Sequence, residues 1–143
     1  MIVVDMENFL NEDKVNPDSL LQLFKNALMK AYLDEDSDIR VTTGLGSVFL
    51  IEVLSDQKML KYVSMFGFKK HANATKKLTF LNQLNSGIIL SRFSMPREDV
   101  LLSEYFLPYE EGISPYQVVN CLRLFERVTT GAIRQFDNDD LVE

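Results

Sequence analysis

One cysteine and one histidine are all that this sequence of 143 residues holds of the side chains that most often ligate metals or act as nucleophiles. With Cys121 alone, no intrachain disulfide can form, which fits a reducing compartment and makes the cytoplasm the expected location. With His71 alone, a multi-histidine metal site within one subunit is impossible, and Cys121 has no second thiol to complete a zinc set. A Cys-His nucleophile would need both to meet, yet Cys121 falls on an apolar helical stripe and reads as a small hydrophobe. Basic residues are outnumbered, with Lys and Arg at 15 against 21 Asp and Glu. The net charge of -6 opposes attraction to phosphate backbones, so nucleic acid is not expected as a partner. The one basic cluster, Lys69, Lys70, Lys76 and Lys77, reads as solvated surface. No run approaches the roughly 20 apolar residues of a membrane span, and Met1–Val4 is too short for a signal peptide.

Globular composition remains, with 46% hydrophobic and 25% charged residues, enough for one domain with a core. The four prolines mark element boundaries. Asn16-Pro17 supplies an N-cap and a first-turn proline, and Leu20, Leu21, Phe24, Ala27, Leu28 and Ala31 follow at helical spacing, predicting a helix from Pro17 to about Leu33. Three β-branched and aromatic segments near 38–43, 47–55 and 58–67 read as strands joined by hairpin turns. Asn73 caps a second helix through Leu78, Leu81 and Leu84, stopped by Asn85-Ser86-Gly87, where a left-handed backbone is tolerated. Strands near 88–95 and 99–107 follow, and Ser114-Pro115 opens a long helix to about Phe136 through Val118, Cys121, Leu122, Phe125, Val128 and Ala132. Residues 1–15 form an N-terminal extension that reads either as a short strand or as a second small helix. Residues 138–143 form an acidic tail expected to be disordered.

Loop lengths imply register. A three-residue loop at Gly44-Leu45-Gly46 pairs Val41 with Phe49, Ile39 with Ile51 and Arg40 with Leu50. A two-residue loop at Asp56-Gln57 sets Glu52 opposite Lys61, and a three-residue loop at Arg97-Glu98-Asp99 sets Arg92 opposite Glu104. Opposed unlike charges stabilise a sheet by roughly 0.2–1 kcal/mol each. One face then buries Ile39, Val41, Phe49, Ile51, Val53, Leu60, Tyr62, Phe66, Ile89, Phe93, Leu101 and Tyr105 under the first and last helices. The other mixes charge with Val48, Leu50, Met59, Val63, Met65, Leu90, Leu102 and Phe106, more apolar surface than water readily accepts. The middle helix, a second subunit or a partner peptide should cover it.

The segments LNQLNSGIILSRFSM, EDVLLSEYFLP and EEGISPYQVVNCLRLFERVTTGAIRQF together resemble the YbjN family of small bacterial proteins, described as sensory transduction regulators. The likeness rests on Arg92-Phe93 entering a strand, on an acidic turn, and on Gly112, Ser114, Phe125 and Phe136. It is best over about residues 73–137, within a YbjN-like single domain at 16–137. It implies an α+β fold in the order α-β-β-β-α-β-β-α, an antiparallel sheet packed against helices like the type III secretion chaperones, which commonly form homodimers and bind extended protein segments. No catalytic residue comes with it.

Other motifs fail on their own chemistry. Asp34-Glu35-Asp36-Ser37-Asp38 opens like a calcium loop, but its sixth position is Ile39 and its twelfth Leu45, where glycine and glutamate belong. Gly44-x-Gly46 leads into a strand and offers no helix N-terminus to a phosphate. Glu52 and Glu104, the best carboxylate pair, face Lys61 and Arg92, which favour ionised carboxylates over a general acid. The expectation is a non-enzymatic, homodimeric, chaperone-like or regulatory module without cofactor or metal. Its protein-binding or dimer face would comprise Leu50, Met59, Val63, Met65, Leu90 and Phe106, with Arg40, Lys61 and Arg92 orienting the partner. The alternative is a small-ligand sensor with a pocket between sheet and helices lined by Ser91, Ser103 and Tyr105.

Overall fold

The structure, a computed structural model, describes residues 9–143. Three helices, α1 (Pro17–Asn26), α2 (Ala74–Gly87) and α3 (Pro115–Phe136), accompany six strands: β1 (Lys30–Leu33), β2 (Ile39–Thr42), β3 (Val48–Leu54), β4 (Met59–Gly67), β5 (Arg92–Arg97) and β6 (Val100–Pro108). They form an α+β fold with one antiparallel sheet in the order β1-β2-β3-β4-β6-β5. The chain resolves into two compact units, Met1–Tyr62 with Phe106–Arg123, and Val63–Tyr105 with Leu124–Glu143. β4, β6 and α3 contribute residues to both.

In the first unit the expected start of α1 is present: Asn16 accepts from the Ser19 N–H at 2.9 Å while Ser19 Oγ accepts from the Asn16 N–H at 3.2 Å, with Pro17 leading the helix. Its expected end is not. The helix stops at Asn26, Leu28 turns left-handed at φ 65°, and Lys30–Leu33 becomes an edge strand where helix was expected. Helical spacing runs on in the sequence because Leu28 and Ala31 happen to keep period; a fully exposed Leu28 packs against nothing that would extend the helix. Leu20 and Phe24 are buried with Ile39 and Val41, and Tyr62 Oη donates to the Val118 carbonyl at 2.7 Å, fixing this part of α3 on the same face. The β2–β3 register is the expected one, Val41 with Phe49, Ile39 with Ile51 and Arg40 with Leu50.

The notion of a strand or helix over residues 1–15 lies partly outside the described residues. Within them, Glu12–Lys14 forms one 3₁₀ turn and Leu10 exchanges backbone hydrogen bonds with Ile113, both at 2.9 Å. Glu12 ties this strap down, meeting Lys58 at 2.9 Å and accepting from the Glu111 N–H at 2.9 Å. Gly112, at φ 111°, lets the Phe9 ring come close; a Cβ there would stand 2.3 Å from the ring.

In the second unit, Phe80 and Leu84 of α2 join Phe68, Phe93, Leu101, Ala132, Leu141 and Val142 in one core. Two expectations change here. The packing face of α2 uses Phe80 and a buried Lys77 rather than Leu78, which is exposed. Lys77 reconciles burial with charge by donating to the Glu98 carbonyl and lying 5.1 Å from the Phe68 ring centre. The tail is docked, not disordered: Asp137 accepts from the N–H groups of Leu141 and Val142 at 2.6 and 3.0 Å, and both side chains are buried. Apolar Leu141 and Val142 inside an acidic run supply the reason.

The opening of β5 differs as well. α2 runs through Gly87, and neither Asn85 nor Gly87 is left-handed; the left-handed residue is Leu90, at φ 82°. The strand therefore starts at Arg92, and Ile89, expected in the core, is 88% exposed. Gly87 is needed because the Phe136 ring sits where a Cβ would go, 2.8 Å away. The β5–β6 turn has two residues, with a bulge between Ser94 and Arg97, yet Arg92 still pairs with Glu104, because one bulged residue offsets the shorter turn.

Candidate protein-interaction face

Alternation assigns the sheet's two faces. In the first unit the inner residues Ile39, Val41, Phe49, Ile51, Leu60 and Tyr62 are buried beneath helices, while Arg40, Leu50, Met59, Lys61 and Phe106 are half-buried on the outer face. Val48 joins them at 56% exposure and Tyr32 at 61%. Sequence spacing hides Tyr32 by making its strand look like helix; the alternation in Lys30-Ala31-Tyr32-Leu33 before an Asp-rich turn is the signal that could have found it. Two of the outer charges in this unit have partners. Arg40 Nε meets Asp34 Oδ2 at 3.0 Å, and Lys61 meets Glu52 at 4.0 Å.

In the second unit Val63 is buried among its strand neighbours and Met65 stands 58% exposed. Arg92 Nε and Nη2 both reach Glu104 Oε1, at 3.3 and 2.9 Å, holding a buried carboxylate on the face. Leu90 does not belong to this face, since it precedes β5 in a left-handed turn. Within this unit the middle helix packs on the inner face: Phe80 and Leu84 of α2 lie on Phe93 and Leu101, which point inward with Ala132 of α3.

Two of the three candidate pocket groups, Ser91 and Ser103, meet at a third hydroxyl. Ser91 Oγ and Ser103 Oγ approach Thr129 Oγ1 at 3.4 and 3.1 Å, all three residues buried, so these hydroxyls satisfy one another. Thr129 escapes sequence reading because a threonine within an apolar stripe gives no separate signal. Hollows lie elsewhere. One of about 510 Å³ in the second unit is lined by Ile88, Ile89, Val128 and Gly131, among others. Another of about 500 Å³ in the first unit lies beside Tyr32, Asp34, Glu35, Asp36 and Arg40.

The Asp-rich segment is a hairpin turn. Asp34 Oδ1 accepts from the N–H groups of Asp36 and Asp38, each at 3.0 Å, while its other oxygen takes Arg40. Burial pushes its carboxyl up, but these donors outweigh burial and hold it below the usual aspartate range. Asp38 goes the other way, raised by burial and then by the Glu52, Asp34 and Asp36 carboxylates. Carboxylate oxygens of Asp34, Asp36 and Asp38 lie within 4.8 Å of one another, a closeness that the turn itself explains. His71 is exposed, with Nε2 3.4 Å from the Asp139 carbonyl, and Cys121 is half-buried.

A family model described as "Putative bacterial sensory transduction regulator" matches residues 16–138. The chain belongs to the YbjN family. A solved structure titled as that of YbjN, "a putative transcription regulator from E. coli", superposes with a TM-score of 0.71 at 13% identity, covering 88% of this chain and 94% of that one. At that identity the likeness shows the YbjN fold alone. No curated protein matches the chain. Among the described residues, no helix is long and apolar enough to cross a membrane.

Proposed function

We propose that residues 16–137 act as a non-enzymatic regulatory module, chaperone-like in mode, which works as a homodimer in the cytoplasm and holds a segment of another protein against the outer sheet face. The observation that carries this reading is the apolar outer surface: Met65 in one unit, Val48 and Tyr32 in the other, with the helices of each unit on the inner side. Such surface is left uncovered mainly where something binds. Arg92 and Lys61 are held in ion pairs, so they present oriented, partly neutralised heads that can steer a partner without being buried unpaired. Methionines at 59 and 65 adapt to irregular apolar segments. Membership in a family described as regulatory agrees with this role.

The test is photo-crosslinking in native lysate with a benzophenone amino acid placed at position 65 or 48. A discrete adduct, removed by Leu50→Asp when the probe is at 48 and by Leu102→Asp when it is at 65, with the fold intact by circular dichroism, is the expected result. Adducts indifferent to both substitutions would overturn the reading.

A further inference from the structure

The sheet has two edges, and they are treated differently. At the β5 edge the Asn85 amide accepts from the Phe93 N–H and donates to the Phe93 carbonyl, both at 2.9 Å. Farther along, Pro96 has no N–H to offer, and a bulge interrupts the strand. These are the devices that stop edge pairing. At the β1 edge, among the described residues, there is no proline, bulge or side-chain cap on the backbone; the strand is short and carries Lys30. Lys30, Ala31, Tyr32 and Leu33 pair with Thr42, Val41, Arg40 and Ile39.

Hydrogen-bond alternation tells which groups point away. The Asp34 N–H donates to the Asp38 carbonyl at 2.9 Å, so 34 and 38 form a hydrogen-bonded pair, as then do 32 with 40 and 30 with 42. The N–H and C=O groups of Ala31 and Leu33 therefore face outward from the sheet edge.

We propose that β1 pairs antiparallel with β1 of a second copy across a two-fold axis at Tyr32, forming the seam of the homodimer on which the preceding functional reading rests. The register is self-consistent. Pairing the outward-facing Ala31 with Leu33 of the partner copy, and the reverse, satisfies all four edge groups on each strand. It sets Tyr32 against its own equivalent on the outer face, as an aromatic cross-strand pair. It also sets Lys30 opposite Asp34 of the partner copy, at the hollow whose lining carries Asp34, Glu35 and Asp36 against the one cation of Arg40. Lys30 is exposed and forms no ion pair within its own chain among those described. This charge complementarity, repeated twice by symmetry, favours a second copy over an unrelated strand.

Tyr32→Cys in a Cys121→Ser background tests the seam directly. A non-hydrogen-bonded antiparallel pair holds Cα atoms about 4.5 Å apart, within the roughly 4.4–6.8 Å that a disulfide spans. Mild oxidation should convert most of the protein to a covalent dimer, while Val48→Cys, exposed on the same face, should form little covalent dimer. Ala31→Pro removes only an outward N–H, a change edge strands tolerate; it should halve the molar mass by light scattering and leave the circular dichroism unchanged. Lys30→Glu should weaken dimerisation at least tenfold. A native protein that is monomeric at micromolar concentration, or a dimer that neither cross-links at position 32 nor responds to Ala31→Pro, overturns the seam. A dimer dissolved by Leu50→Asp and indifferent to Ala31→Pro would place the second copy on the sheet face and overturn it equally. A monomer that still gives the position 65 adduct would overturn the seam while leaving the binding face standing.

Discussion

Asn85 closes the outer edge of β5 with a single side chain, accepting one backbone hydrogen bond from Phe93 and returning another. Asn85→Ala should cost about 1–1.5 kcal/mol in urea unfolding, since the two Phe93 groups must turn to water, and should make the protein more prone to self-association through that edge. Leu28 is a residue in the wrong chemistry for its backbone: at φ 65° it occupies a position that glycine fills best, and its side chain is 95% exposed. Leu28→Gly is expected to raise stability by about 0.5 kcal/mol, because so exposed a side chain holds nothing in place; a lower thermal midpoint would contradict this. These two residues also mark where sequence and structure part. The sequence presents Asn85 as a stop signal through its tolerance of left-handed backbone, whereas it is helical and acts through its side chain. Leu28 resembles a core-facing helical residue because it keeps period, and period says nothing of where a helix is cut.

Elements were legible where two signals agreed. Asn16-Pro17 and Asn73 cap their helices as expected, and the β2–β3 register followed from one glycine-rich loop. Arg92 opposite Glu104 followed from a loop length that was wrong by one residue and a bulge that was unseen, two errors that cancel. The terminal segments were illegible because their order depends on distant partners: Glu12 needs Lys58 and Glu111, and Leu141 needs the core around Phe80 and Leu84. Leu141→Ala should accordingly cost about 2–4 kcal/mol, which a disordered tail would not. The N-terminal strap should respond to acid. The Glu111 N–H first, and then Lys58, hold Glu12 below the ordinary glutamate range, so its folded pKa lies under its unfolded one. Its contribution is present above the unfolded value of about 4.3 and disappears as pH falls through the folded value. The difference in thermal midpoint between the native protein and Glu12→Gln should be widest near neutrality and close on acidification below that range.

For the whole molecule, the α+β class and membership in the YbjN family were legible from pattern and motif, and the side that Arg40 and Leu50 take followed from a turn length, whereas Tyr32 and Leu90 were misplaced. What sequence could not supply was which side the middle helix takes, because apolar positions on α2 suit either face; Phe93 and Leu101 beneath Phe80 and Leu84 settle it. In the second unit α2 thus takes the inner side, and the proposed function assigns the outer face to a partner. Hydroxyl-radical footprinting of Met65, in purified protein and in native lysate, measures that most directly. The account predicts fast oxidation of Met65 in the purified protein and marked protection in lysate, lost again in Leu102→Asp on the same unit's outer face. Equal oxidation in both settings would contradict it.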